Sequence, residues 1–129
     1  MCLTCSKKIN IVDDLTVYKV FYINDNNEIC SPIYSNCKWN VNETKSTNVD
    51  EPDITPYDFG NEIEGNAIHS FKSINDATSY FKNLERYFDS MFAVYECVIP
   101  KTSKFLYEGK FGTQVSYASE KLTPIKQIM

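Results

Sequence analysis

Hydrophobic and polar positions alternate, cluster and change period along the chain in a way that predicts most of its elements. Residues 16–23, Thr-Val-Tyr-Lys-Val-Phe-Tyr-Ile, are dense in β-branched and aromatic side chains and predict the first strand. The turn cluster Asn24-Asp25-Asn26-Asn27 follows, and Glu28 to Ser31 predicts a short hairpin partner that Pro32 confines to an edge. Trp39 and Val41 mark another short strand. At Ser73 the period changes from two to between three and four. Ile74, Ala77, Tyr80, Phe81, Leu84, Tyr87 and Phe88 fall on one helical face, and Asn75, Lys82, Asn83, Glu85 and Arg86 on the other. Ser73 predicts the N-cap, with Asp76 three residues on as a shortened capping-box partner.

After the helix, residues 91–99 are apolar on both faces except at Glu96, which predicts a central strand. Pro100 ends it. Residues 104–108, 115–118 and 122–128 predict further strands, with a turn over 109–113. Residues 1–14 carry no clear period and read as an irregular lead-in. Residues 42–64 are polar, contain two prolines and read as a long acidic loop or insertion. The whole predicts a single α+β domain over 1–129: a twisted, mainly antiparallel sheet with one main amphipathic helix at about 74–88. The apolar face of that helix is expected against strands 16–23 and 91–99.

Charge refines this picture at one place. The chain has net charge −4, yet residues 50–64 hold six of its 17 acidic residues and none of its 13 basic ones, so the remainder is slightly positive. Asp50, Glu51, Asp53 and Asp58 in that stretch are candidates for meeting a basic partner, although such runs are more often solvated surface. There is no basic stripe of the density that generic nucleic-acid binding requires. No apolar run approaches the ~20 residues of a membrane helix, and no apolar signal core follows Lys7-Lys8. A cytoplasmic protein is expected, with no membrane contact.

Five cysteines are an odd set with irregular spacing, which fits reduced thiols better than a disulfide framework. Cys2 and Cys5 form a CxxC without a second such pair. Cys30 and Cys37 are too loosely spaced to complete a convincing zinc site, so no metal is expected. Cys30 and Cys97 read as core residues.

His69 is the only histidine. Alternation places it with Phe71 on one strand face and Ile68 with Ser70 on the other. The bland reading is a half-buried imidazole. The sharper one is a ligand-facing side chain beside the N-terminus of the 74–88 helix, where Ser70 and Ser73 add hydroxyls to a position that favours anions, phosphate included. The chain contains no G-x-S-x-G, P-loop or G-x-G-x-x-G pattern.

Several short stretches together resemble a group of small uncharacterised proteins of tailed bacteriophages and prophages of gut bacteria. They are Met1-Cys2-Leu3-Thr4, Val17-Tyr18-Lys19-Val20, Ser31-Pro32 with Tyr34, Ile68-His69-Ser70-Phe71, Cys97-Val98-Ile99-Pro100-Lys101, Ser103-Lys104 and Tyr117-Ala118-Ser119. The resemblance implies a viral accessory protein acting in the bacterial host cytoplasm as a non-enzymatic binding module. Its partner would be a host protein or a nucleotide-type ligand, and its role one of counter-defence. A virion-associated structural protein is a further alternative within that class.

Over about 17–125 the order of residues is also similar to the ADP-ribosyltransferase fold. Tyr18 or Lys19 on a first strand, His69-Ser70 on a second, Ala77-Tyr80-Phe81 on a helix and Glu120 near a late strand fall in that sequence. This likeness implies an enzyme that uses NAD, with Glu120 and His69 catalytic and Tyr18, Lys19, His69 and Ser70 on the ligand. The chain departs from the family pattern in lacking the first-strand Arg or His and any Ser-Thr-Ser run.

Overall fold

The computed structural model describes residues 3–31, 38–57 and 60–129. In chain order the elements are β1 (Leu3–Lys8), β2 (Leu15–Ile23), β3 (Ile29–Cys30), β4 (Lys38–Trp39), β5 (Lys45–Ser46), β6 (Asp53–Tyr57), β7 (Gly60–Gly65), β8 (Ile68–Phe71), α1 (Ile74–Tyr87), β9 (Met91–Ile99), β10 (Leu106–Phe111), β11 (Gln114–Ser119) and β12 (Lys121–Gln127). All strand pairs are antiparallel. The order across the sheet is β5-β12-β9-β2-β8-β11-β10-β1-β7-β6, with β3 on the edge of β2 and β4 on β3. The α+β class expected from the sequence is present, but the sheet curls into a barrel-like arrangement rather than a simple twisted sheet, with β5 and β6 at the ends of its path. A simple sheet would leave one face of β2, β9 and β11 in water, and both faces of these strands carry apolar residues.

Those two faces make separate cores. The inner one contains Val17, Phe21, Trp39, Tyr95, Cys97, Ile99, Leu106, Tyr117 and Leu122. On the outside, Val20, Phe71 and Val94 meet Ala77 and Phe81 of α1, so the helix packs on β2, β8 and β9. A second outer cluster gathers Leu3, Ile63, Phe105, Tyr107 and Ala118. Each large apolar side chain withdrawn from water here contributes about 1.5–3 kcal/mol.

The helix begins at Ser73, whose extended backbone (φ −118°, ψ 151°) lets its hydroxyl accept from the Asp76 N–H at 3.1 Å. Asp76 in the first turn and Arg86 in the last complement the helix dipole. Tyr87 and Phe88, expected on the apolar face, are exposed, because the helix ends where Phe88 turns extended and leaves the sheet.

Two expectations are corrected. Residues 53–57 and 60–65 form an edge hairpin instead of a long loop. Asp53, Pro56 and Glu62 hide its strand character in the sequence, and such charges and prolines are what keep an open sheet edge from pairing with other chains. The N-terminal lead-in is a strand as well. Its residues, Leu-Thr-Cys-Ser-Lys-Lys, show no alternation because the strand is bulged against both neighbours.

Candidate functional site

The β1 bulge builds an open polar feature at the surface. Thr4 pairs with Lys110 and Lys7 with Glu108, so three residue steps of β1 oppose two of β10. Strand side chains alternate, and the extra residue turns Lys7 to the face of Glu108 and Lys110. Lys8 goes to the opposite face beside Tyr107, where Glu51 accepts from both Lys8 Nζ (3.0 Å) and the Tyr107 hydroxyl (2.8 Å). The bulge is seated on Gly109. A Cβ there would stand 2.6 Å from both Ser6 Oγ and the Thr4 carbonyl oxygen, so the close approach of the two strands requires glycine.

Beside this seat lies a depression of about 320 Å³ lined by Lys7, Lys8, Ile9, Glu108, Gly109, Lys110 and Val115. Its cations outnumber its anions. Lys8 is paired with Glu51, and Glu108 lies 3.8 Å from Lys72. Lys7 and Lys110 have no carboxylate partner among the described residues. The field at this mouth is therefore positive in a chain of net charge −4.

From the mouth a polar row runs inward across the sheet. Lys7 stands opposite Glu108, Glu108 opposite Tyr117, and Tyr117 opposite Ser70. Three strand gaps make this about 14 Å. The row passes from exposed Lys7 through half-buried Glu108 to buried Tyr117 and Ser70. Burial and then the nearby Glu108 carboxylate push the Tyr117 phenol up to about 12. The Ser70 hydroxyl is buried and has no hydrogen-bond partner.

Lys19 ends the row where the sheet parts. β2 pairs with β8 at Tyr18–Phe71 and with β3 at Tyr22–Cys30 and Ile23–Ile29. In the gap, Lys19 Nζ donates to the His69 carbonyl at 2.7 Å and lies 5.8 Å from the Phe21 ring centroid. Burial lowers its pKa to about 8, against a smaller opposing influence of Cys97. The Cys97 thiol is pushed up to about 12, chiefly by burial, and is no nucleophile at neutral pH.

The ligand residues expected from the sequence are divided by the sheet itself. Lys19 and Ser70 share the inner face with Tyr117. Tyr18, His69 and Phe71 are on the helix side, as Tyr18–Phe71 and Ala118–His69 pairing requires. The Ser73 hydroxyl is taken up by the helix cap. The His69 Nδ1 is buried without a partner, and burial, then the Lys19 charge, lower the imidazole to about 3. It is neutral across the physiological range and does not take up a second ring proton near pH 7.

Glu120 is 1% exposed and sits at another edge. Its carboxylate accepts from Ser46 Oγ and from the Lys104 N–H at 3.0 Å. Its own N–H donates to Ser103 Oγ, and its carbonyl accepts from the Thr47 N–H. These bonds hold β5 and the 103–104 turn onto the end of β11, three residues and about 10 Å of strand beyond Tyr117.

The acidic candidates are drawn onto the body. Asp50 pairs with Lys104 at 3.0 Å, Glu51 with Lys8, and Asp53 accepts from Asn66. Hydrogen bonding from Lys8, then from Tyr107, lowers the Glu51 pKa. Asp58 lies outside the described residues, as do Cys2 and Cys37. Cys30 and Cys97 are buried free thiols, and no group of three or more metal-ligating side chains is gathered among the described residues.

Sequence reasoning reached Lys19 and Ser70 but missed Lys7, Lys110, Glu108 and Tyr117. The only local signals were the Lys7-Lys8 pair and the Glu108-Gly109-Lys110 run. Among the described residues, no helix is long and apolar enough to cross a membrane. Comparison with protein-family models, with curated proteins and with solved structures gave no match.

Proposed function

We propose that the protein is a phage-encoded accessory factor that works in the host cytoplasm as a non-enzymatic binding module, and that its ligand is a small nucleotide-type anion held at the Lys7–Lys110 depression. The viral assignment rests on the sequence resemblance. The single observation that supports the ligand class is the depression itself: two lysines without carboxylate partners, an acceptor at Glu108, and apolar walls at Ile9 and Val115. Ligand pockets combine an apolar lining with a few convergent polar groups in this way, and about 320 Å³ is at the small end of their range.

The same geometry weighs against the transferase reading. Glu120 is almost fully buried and each of its oxygens already accepts from a protein donor, so that carboxylate has no solvent-open side for ribose hydroxyls. His69 and Lys19 face opposite sides of the sheet, which leaves no shared reaction centre. A host-protein contact through the acidic stretch is also less favoured, because Asp50 and Glu51 already meet Lys104 and Lys8.

A thermal-shift panel of AMP, ADP-ribose and NAD tests the proposal. A ligand at 100 times its dissociation constant stabilises the native state by about 2.7 kcal/mol. A shift that disappears in the Lys7→Gln/Lys110→Gln double variant, with the nucleotide recovered unchanged by mass, is the expected result. A flat panel would sink the nucleotide reading, and a consumed nucleotide would sink the non-enzymatic one.

A further inference from the structure

We propose that the depression recognises a 5-phosphoribosyl group, with Lys7 and Lys110 taking the phosphate and Glu108 taking the ring hydroxyls. This rests on the binding reading above and makes it specific.

Glu108 and Lys110 point to the same face of β10, one two-residue step or about 6.7 Å apart. Lys7 stands directly across from Glu108 on β1. A purely anionic ligand such as pyrophosphate would bring like charge against the Glu108 carboxylate. An unphosphorylated sugar would leave both lysines without a counter-charge. The ligand that satisfies all three groups carries an anion at one end and hydroxyl donors one short ring away.

Glu108 has the capacity for this. A carboxylate offers about four lone-pair sites. Its described ion-pair partner is Lys72 at 3.8 Å. Tyr117 stands directly across from Glu108 on β11 and backs it along the row. The remaining acceptor sites of the carboxylate open to the depression, where Val115 and Ile9 flank the path of a furanose. The small volume fits a mononucleotide portion better than a whole dinucleotide.

The test is calorimetric titration with AMP and 2′,3′-dideoxy-AMP. In the parent protein AMP should bind at least about tenfold more tightly, as expected for loss of hydrogen bonds to a charged acceptor. Glu108→Gln should shrink that preference, whereas Lys110→Gln should weaken both ligands by the same factor. Equal binding of the two ligands by the parent would overturn the hydroxyl assignment and leave the anion site standing. Binding of ADP-ribose or NAD without either mononucleotide would overturn the phosphoribosyl assignment alone. Failure of every nucleotide to bind would remove the function and this inference together. If Glu108→Gln does not fold by circular dichroism, the comparison on the parent still decides.

Discussion

Two glutamates of one hairpin, about three residue steps apart along it, hold contrasting positions. Glu120 follows β11 at the β5–β12 edge, fully buried, with both oxygens engaged by protein donors. Glu108 lies in β10 beside the depression, half-buried, with a distant lysine and one phenol for company. A buried carboxylate whose two oxygens each accept from a different chain segment fastens those segments together. One with acceptor sites left over at an open mouth is available to a ligand. Order along the chain favoured Glu120 as the functional carboxylate, but hydrogen-bond accounting favours Glu108.

The strongest way to break this contrast is to remove the buried member. Glu120→Ala strips the Lys104 N–H and the Ser46 hydroxyl of their acceptor, and should cost about 3 kcal/mol of stability. A urea midpoint shift several times larger than that of Glu108→Gln is expected. Equal shifts would mean that the two carboxylates do similar structural work. Next in size is Gly109→Ala. The added methyl meets Ser6 and the β1 backbone, and overpacking of this kind costs about 2 kcal/mol. Because the bulge rests on that glycine, nucleotide affinity should fall as well. Unaltered affinity would separate the bulge from the site.

The smallest effect concerns His69, the buried polar group that belongs to neither region. Its folded pKa of about 3 lies below the ordinary 6.5, so the unfolded chain binds the extra proton between those values. Stability is then complete above about pH 6.5 and declines as pH falls toward 3. The loss between pH 7 and 5.5 should be about 1 kcal/mol, and His69→Leu should flatten that limb of the stability curve. An unchanged acid limb in the variant would show that the imidazole is not buried neutral.

The helix and the central strand were legible because each repeats one signal many times. Ser73, Ala77, Phe81 and Leu84 fix the first, and the unbroken apolar residues of 91–99 the second. β1 was illegible for the opposite reason: a bulge destroys alternation, and its partner β10 is about a hundred residues away. The 53–65 hairpin was hidden by the charges and prolines that guard its edge. Lys19 and Ser70 were named from the sequence together with Tyr18, His69 and Ser73, and only the β2–β8 register separates the two faces. Lys7, Glu108 and Lys110 meet only through inter-strand register, which no local pattern encodes.

The bulge in β1 makes the site a matter of counting. Its lysines are sorted between two faces by a whole number of residues, and the chemical kind of the intervening ones matters little to that sorting. Substitution along 4–6 leaves the parity of the strand intact. A change of length by one reverses it, and would exchange the places of Lys7 and Lys8. A surface whose side chains are sorted by strand length is buffered against substitutions and exposed to insertions and deletions.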